Sequence, residues 1–208
     1  NRFADRTAAD VINDYSEQEL LSVFSEFGEI KNSKTLARNI VQSRQAITID
    51  STFGLRDVAM KSAERGNEQQ YLARVFQALR IEVNDELAAL KDFLQQCSEV
   101  LKSGGRLAVI TFHSLEDKLV KKVFDFFSNK TKGTSRYLPE NRQNEDFNIL
   151  IVKNRKPINA STEEIKNNNR ARSAKLRSAV KAQDHLFQFK RSYLNLEKYF
   201  ELEEAIHA

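Results

Sequence analysis

His113 and Ser114 stand at the end of an apolar run, "RLAVITF" (106–112), just before Glu116 and Asp117. Polar side chains at a strand end either take part in chemistry or start the next helix. Ser114, with Asp117 three residues on, reads as an acidic variant of the capping box. Glu116 and Asp117 also suit the positive end of a helix dipole. His113 is not required by that cap. It lies just outside the carboxyl edge of the run, where open α/β sheets bind ligands. The other histidines, His185 and His207, fall in the tail and do not reinforce it.

Two further groups could meet a ligand. In "RVFQALRIEVNDEL" (74–87), Gln77, Arg80 and Asn84 are spaced three and four apart and share one helical face. Such a stripe is either wet surface or the lining of a groove. Between residues 153 and 181 there are nine basic residues and only Glu163 and Glu164 as acidic ones, although the whole chain carries just +4. That asymmetry is either a solvated face or a site for a polyanion. The single cysteine, Cys97, excludes an intrachain disulfide and a cysteine-rich zinc site, and fits a reducing compartment. Its setting, "LQQCSEVL", makes it a small core residue.

The elements that must position these residues follow from periodicity and caps. Residues 1–70 read as short helices. Thr7 caps "TAADVIN"; Ser16 and Glu19 form a capping box for a helix ended by Gly28; a third helix covers "NSKTLARNIVQSRQ". A fourth starts at Asp50-Ser51 and stops at Gly66, with "AITI" (46–49) as the one extended candidate. From 71 to 102 apolar residues recur at helical spacing, with a break expected near Val83-Asn84 and a stop at Ser103-Gly104-Gly105. "RLAVITF" is then a strand buried on both faces, "LEDKLVKKVFDFF" an amphipathic helix, and 128–146 a polar loop. "FNILIVKN" (147–154) is a second strand, "STEEIKNN" a short capped helix, and "RSAKLRSAV" a strand or a turn of helix. Leu186, Phe189, Tyr193, Leu196 and Phe200 give the tail an amphipathic pattern.

Length and composition bound the rest. The 208 residues are 40% hydrophobic and 30% charged, a globular composition with a wet surface. No apolar run approaches the roughly 20 residues of a membrane helix, and the start has no signal-peptide core. Two or three strands are too few to bury themselves in a doubly wound sheet, so further strands are expected before Asn1. Only 6 glycines occur, and none forms a GxGxxG cofactor loop.

Taken together, "RVFQALRIEVNDEL", "GGRLAVITFHSLEDKLVK" and "NNNRARSAKLR", in that order, resemble the signatures of the RsmH (MraW) family. "TAADVIN" and "FGEIKNSKTLARNIV" resemble its inserted helical domain. The resemblance covers about residues 3–181. It implies an α/β chain: part of a Rossmann-like methyltransferase fold dependent on S-adenosyl-L-methionine, with an all-helical insert. Residues 1–70 would be the substrate-recognition insert, 71–181 the C-terminal part of the methyltransferase domain, and 182–208 an amphipathic helical tail. The implied activity is N4-methylation of a cytidine in 16S rRNA of the small ribosomal subunit, in the cytoplasm; a homodimer and a lone chain are both compatible with it. The implied base pocket faces Phe112, His113 and Ser114, with His113 a polar contact to substrate and Gln77, Arg80 and Asn84 lining it. Arg170, Arg172, Lys175 and Arg177 would hold RNA phosphates, joined by Arg44 and Lys34 on the insert. The family's glycine-rich donor loop and Asp-Leu-Gly-Val-Ser-Ser stretch have no counterpart, and "NEQQYLARVFQA" replaces its usual His-Pro-Ala. No donor-binding residue is therefore expected in this chain. A non-catalytic RNA-binding or interaction module derived from such an enzyme is the alternative.

Overall fold

The computed structural model describes residues 6–128 and 149–182, mostly helical with one small antiparallel sheet. They fall into two compact units, one ending at Glu86 and one starting at Leu87.

The first unit is all helix: α1 (Ala8–Asp14), α2 (Glu17–Glu26), α3 (Ser33–Ala46), α4 (Thr52–Met60) and α5 (Glu68–Asn84). Local chemistry starts three of them. Thr7 with Asp10, and Ser16 with Glu19, form reciprocal capping boxes, and the Ser51 hydroxyl accepts from the Gly54 amide. Apolar residues at helical spacing then face a common core of Val11, Leu20, Phe24, Leu36, Ile40, Leu55, Val75 and Leu79.

One polar cluster spans this core. The Tyr15 hydroxyl donates to Glu82 Oε1 at 2.6 Å, Arg6 pairs with Glu82 at 3.2 Å, and an Arg6 guanidinium N–H donates to the Tyr15 oxygen. Burial, and then the Glu82 carboxylate, push the Tyr15 hydroxyl's pKa well up, so it stays a donor.

Two expectations change here. "AITI" is not a strand: Ala46 ends α3, Ile47 is exposed, and Asn13 holds both the amide and the carbonyl of Ile49 in a strand's place. The stop at Gly28 holds: Phe27 is the C-cap of α2, and a Cβ on Gly28 would lie 2.7 Å from the Phe24 carbonyl. The helix expected to run to Gly66 ends at Met60. α5 packs on α1, α2 and α4 and so belongs to the first compact unit, which ends at Glu86. The predicted break is sharp. Asp85 takes φ 48° and ends α5 with its amide on the Ile81 carbonyl.

The second unit contains α6 (Glu86–Val100), β1 (Arg106–Thr111), α7 (Ser114–Phe127), β2 (Leu150–Ile151), β3 (Ile158–Asn159), α8 (Thr162–Asn167), a 3-10 helix (Asn169–Ser173) and β4 (Lys175–Lys181). The turn into β1 requires its glycines. Gly104 takes φ 80°, and a Cβ on Gly105 would lie 2.8 Å from the Lys102 carbonyl.

β4 is the central strand, so "RSAKLRSAV" is strand from Lys175 on, while Arg172 and Ser173 close the 3-10 helix. It pairs antiparallel with β1 along its length, from Arg106↔Val180 to Thr111↔Lys175. On its other edge, β2 pairs as Leu150↔Lys181 and β3 as Ile158↔Leu176, with residues 152–157 bulging between them. Leu107, Val109, Arg177 and Ala179 face inward, and α7 packs on β1 and β4. The opposite face carries Ile110, Ile151 and Ile158, each about half exposed (59%, 49% and 52%). The expectation that "RLAVITF" is buried on both faces is thus corrected: among the described residues only one face is covered, and burial alternates strictly along β1. Phe147 and Asn148, most of the 128–146 loop and the tail from residue 183 lie outside the described residues.

Candidate functional site

The carboxyl end of β1 runs into α7 through Phe112 and His113. Here the sequence expectation is reversed. The N-cap of α7 is His113, not Ser114. The imidazole Nδ1 accepts from the Glu116 amide at 3.4 Å, and Glu116 Oε2 accepts from the amides of Phe112 (2.7 Å) and His113 (3.2 Å). This is a capping box with an imidazole in the hydroxyl's place. An imidazole accepting at Nδ1 carries its neutral-form proton on Nε2, which lies 3.5 Å from Glu116 Oε1. The His113 side chain is only 5% exposed. Ser114 is the first helical residue and half-buried, and Phe112 is exposed at the strand end.

Asp117 does not cap. It faces the sheet and takes a two-pronged ion pair from Arg177, Nε to Oδ1 at 2.6 Å and Nη2 to Oδ2 at 3.1 Å. Lys175 Nζ adds a third bond at 3.2 Å, and Arg177 Nη1 donates to the Arg155 carbonyl in the β2–β3 bulge at 2.9 Å. Burial works to raise the Asp117 pKa. The hydrogen bonds and charges of Arg177 and Lys175 outweigh it and hold the carboxyl below its usual range. One carboxylate thereby joins the first turn of α7, the central strand and the bulge. Sequence reading missed this pairing across 60 positions. Its one available signal was the alternation of "KLRSAVK", which turns Arg177 inward beside Ala179.

The basic segment divides accordingly. Arg177 is 8% exposed with its guanidinium engaged, so it is a structural partner and not a phosphate contact. Lys181 is also buried, donating to the Leu101 carbonyl at 2.7 Å. Lys175 is half-exposed while bonded to Asp117. Arg170 and Arg172 project from the 3-10 helix, and with Lys153, Arg155, Lys156 and Lys166 they are exposed. These six remain open to a polyanion.

The polar stripe belongs to the first unit. Gln77 donates to the Phe27 carbonyl at 3.2 Å. Arg80 grips Glu86 through two bonds, 2.8 and 3.1 Å, and Asn84 reaches the same carboxylate at 3.3 Å. Arg80 and Asn84 therefore do share a face, and they brace the break at Asp85. Arg44 donates to the Ile12 carbonyl at 2.7 Å, while Lys34 is exposed.

Gly104 and Gly105 sit at the amino-terminal entrance of β1, the end away from His113, and serve the turn there. Cys97 is buried, and burial pushes its thiol pKa up, as suits a core residue rather than a nucleophile. Among the described residues no helix is long and apolar enough to cross a membrane.

Comparison with known proteins adds to this geometry. A relative from Cytophaga hutchinsonii named ribosomal RNA small subunit methyltransferase H is 48% identical over 179 residues, 86% of this chain and 58% of the relative. Proteins of the same name from Azobacteroides pseudotrichonymphae and Flavobacterium johnsoniae are 43% and 45% identical over 181 and 177 residues. The chain thus spans 57–58% of the length of these curated relatives. The family model described as the MraW methylase family matches residues 1–182, and the chain belongs to that family.

Proposed function

We propose that this chain is part of an rRNA methyltransferase that uses S-adenosyl-L-methionine to methylate N4 of a cytidine in 16S rRNA of the small ribosomal subunit. The observation that carries the reading is the family match over residues 1–182, joined by relatives whose names state small-subunit rRNA methylation. The sheet supports it as one side of a Rossmann-like domain. Its strand β1 has an unpaired edge among the described residues and one exposed apolar face. The all-helical first unit supports an inserted substrate-recognition domain.

The donor supplies the methyl group; the protein contributes position and environment. The binding of that donor is assigned to none of the described residues, because none of the chain's glycines forms a GxGxxG loop. What the described residues do is fix an edge and grip RNA. The capping box holds Phe112, His113 and Ser114 at the carboxyl end of β1, the edge assigned to the base pocket. With its imidazole buried, His113 serves there chiefly by fixing the edge, and Phe112 offers the exposed surface. Alignment of this kind is a large part of a transfer rate. Arg170 and Arg172 are assigned to phosphates, which set register without reading sequence. Gln77, Arg80 and Asn84 are assigned to the lining of the substrate pocket, with Arg80 and Asn84 exposed.

The test is labelled-methyl transfer by the protein in its full encoded length to small ribosomal subunits, followed by nuclease digestion. Label in N4-methylcytidine of 16S rRNA is expected. RNA binding without any transfer would favour the alternative, a non-catalytic RNA-binding module, and label in another nucleoside would overturn the assigned chemistry.

A further inference from the structure

The first unit is electrically lopsided. Residues 8–30 carry six acidic residues and no basic one, whereas residues 31–65 carry seven basic and three acidic ones. In the middle of the basic stretch, α4 buries Leu55, Val58 and Ala59 and turns Phe53, Arg56, Asp57 and Met60 outward. Phe53 is 68% exposed although it is a large apolar side chain. The Arg56 guanidinium lies over its ring, 5.2 Å from the centroid. Arg56 is in turn held by Asp57 through Nε at 2.9 Å and Nη2 at 2.7 Å. The pair is therefore a preformed flat layer, one side of the ring covered by a cation and the rest open.

We propose that Phe53 and Arg56 form a stacking platform for an unpaired base of RNA, with exposed basic residues of the 31–65 stretch, such as Lys34 and Lys61, drawing in the backbone. This rests on the RNA reading above and names a contact that reading does not. Single-stranded RNA is bound by this combination: a ring or guanidinium plane for the base and positive charge along the strand. Every base has a π-face, so the platform contributes affinity without strong sequence preference. A second copy of the chain is the less fitting occupant. A two-fold interface would bring this positive patch against itself.

The experiment uses the 208-residue chain and a fluorescein-labelled, unstructured RNA of about 12 nucleotides. Binding is followed by anisotropy for the wild type, F53A, F53Y and R56A, with circular dichroism on each sample. F53A is expected to weaken binding about fivefold or more, as the loss of one base stack does, while F53Y binds like wild type. Because Phe53 is exposed, helix content is expected to stay unchanged. Wild-type binding with no change in F53A overturns the platform and leaves the RNA reading standing. No RNA binding by the wild type overturns both. A dimer that F53A dissociates, with RNA affinity unaltered, assigns the face to a second copy and also overturns the proposal.

Discussion

At the scale of single residues, Asp117 and Arg177 determine more than any pair the sequence singled out. Removing one member of a buried pair leaves the other's charge uncompensated, which costs about 3 kcal/mol or more. Asp117→Ala is therefore expected to lower the urea midpoint by about that amount of stability, whereas an exposed change such as Arg172→Ala leaves it nearly untouched. The pair also carries a pH signature. The Asp117 pKa is lowered on folding, so its contribution is present above the ordinary carboxylate value of 3.8 and is lost as pH falls through the folded value. Stability measured downward from pH 5 should lose this increment in the wild type and show a shallower fall in Asp117→Asn. Tyr15 makes a comparable point in the first unit. Tyr15→Phe removes the donor at 2.6 Å from the buried Glu82 and should cost about 1–3 kcal/mol in the same assay. Neither pair was legible in sequence. Glu82 lies 67 positions from Tyr15 and Arg177 lies 60 from Asp117, and no local pattern reports such a distance.

At the scale of elements, the sequence was most legible where the physics is local. Thr7, Ser16, Ser51 and Ser161 were each placed at or next to a helix start, and each caps one, because a short side-chain oxygen followed by a first turn needs nothing from the rest of the fold. The start of α7 was misread by one residue for a related reason. Ser114 has the usual chemistry, but the chain leaves β1 already extended at His113, with φ −135° and ψ 167°, and the imidazole nitrogen takes the oxygen's role. If so, His113→Ala should cost about 0.5–2 kcal/mol, the range for losing a cap, and His113→Asn should recover most of it. Ser114→Ala should cost little by the same measurement. Equal losses for His113→Ala and Ser114→Ala would show that the cap does not work in this way. The strand β1 was placed correctly and its burial was not. A near-continuous apolar run reads as doubly buried, and only the fold shows that α7 lies on one of its faces.

At the scale of the whole molecule, charge and membership carry the account. The basic segment was visible in composition, but composition could not separate Arg170 and Arg172, which are exposed, from Arg177 and Lys181, which are buried. If the exposed arginines hold phosphates, each of Arg170→Ala and Arg172→Ala should reduce the salt dependence of RNA binding by about 0.7 in log–log slope, roughly equally for unrelated sequences. The order of the three family blocks was likewise legible, whereas the unit boundary at Glu86 was not, since it depends on α5 packing with the helices before it. The central claim is that this chain supplies RNA-facing surface and the edge of a base pocket, and does not hold the methyl donor. Calorimetric titration of S-adenosyl-L-methionine into the 208-residue chain, with intact mass recorded on the same sample, tests it most directly. The account predicts no saturable heat at the expected mass. Saturable binding of one donor per chain would contradict it, placing a donor site on residues that carry no glycine-rich loop.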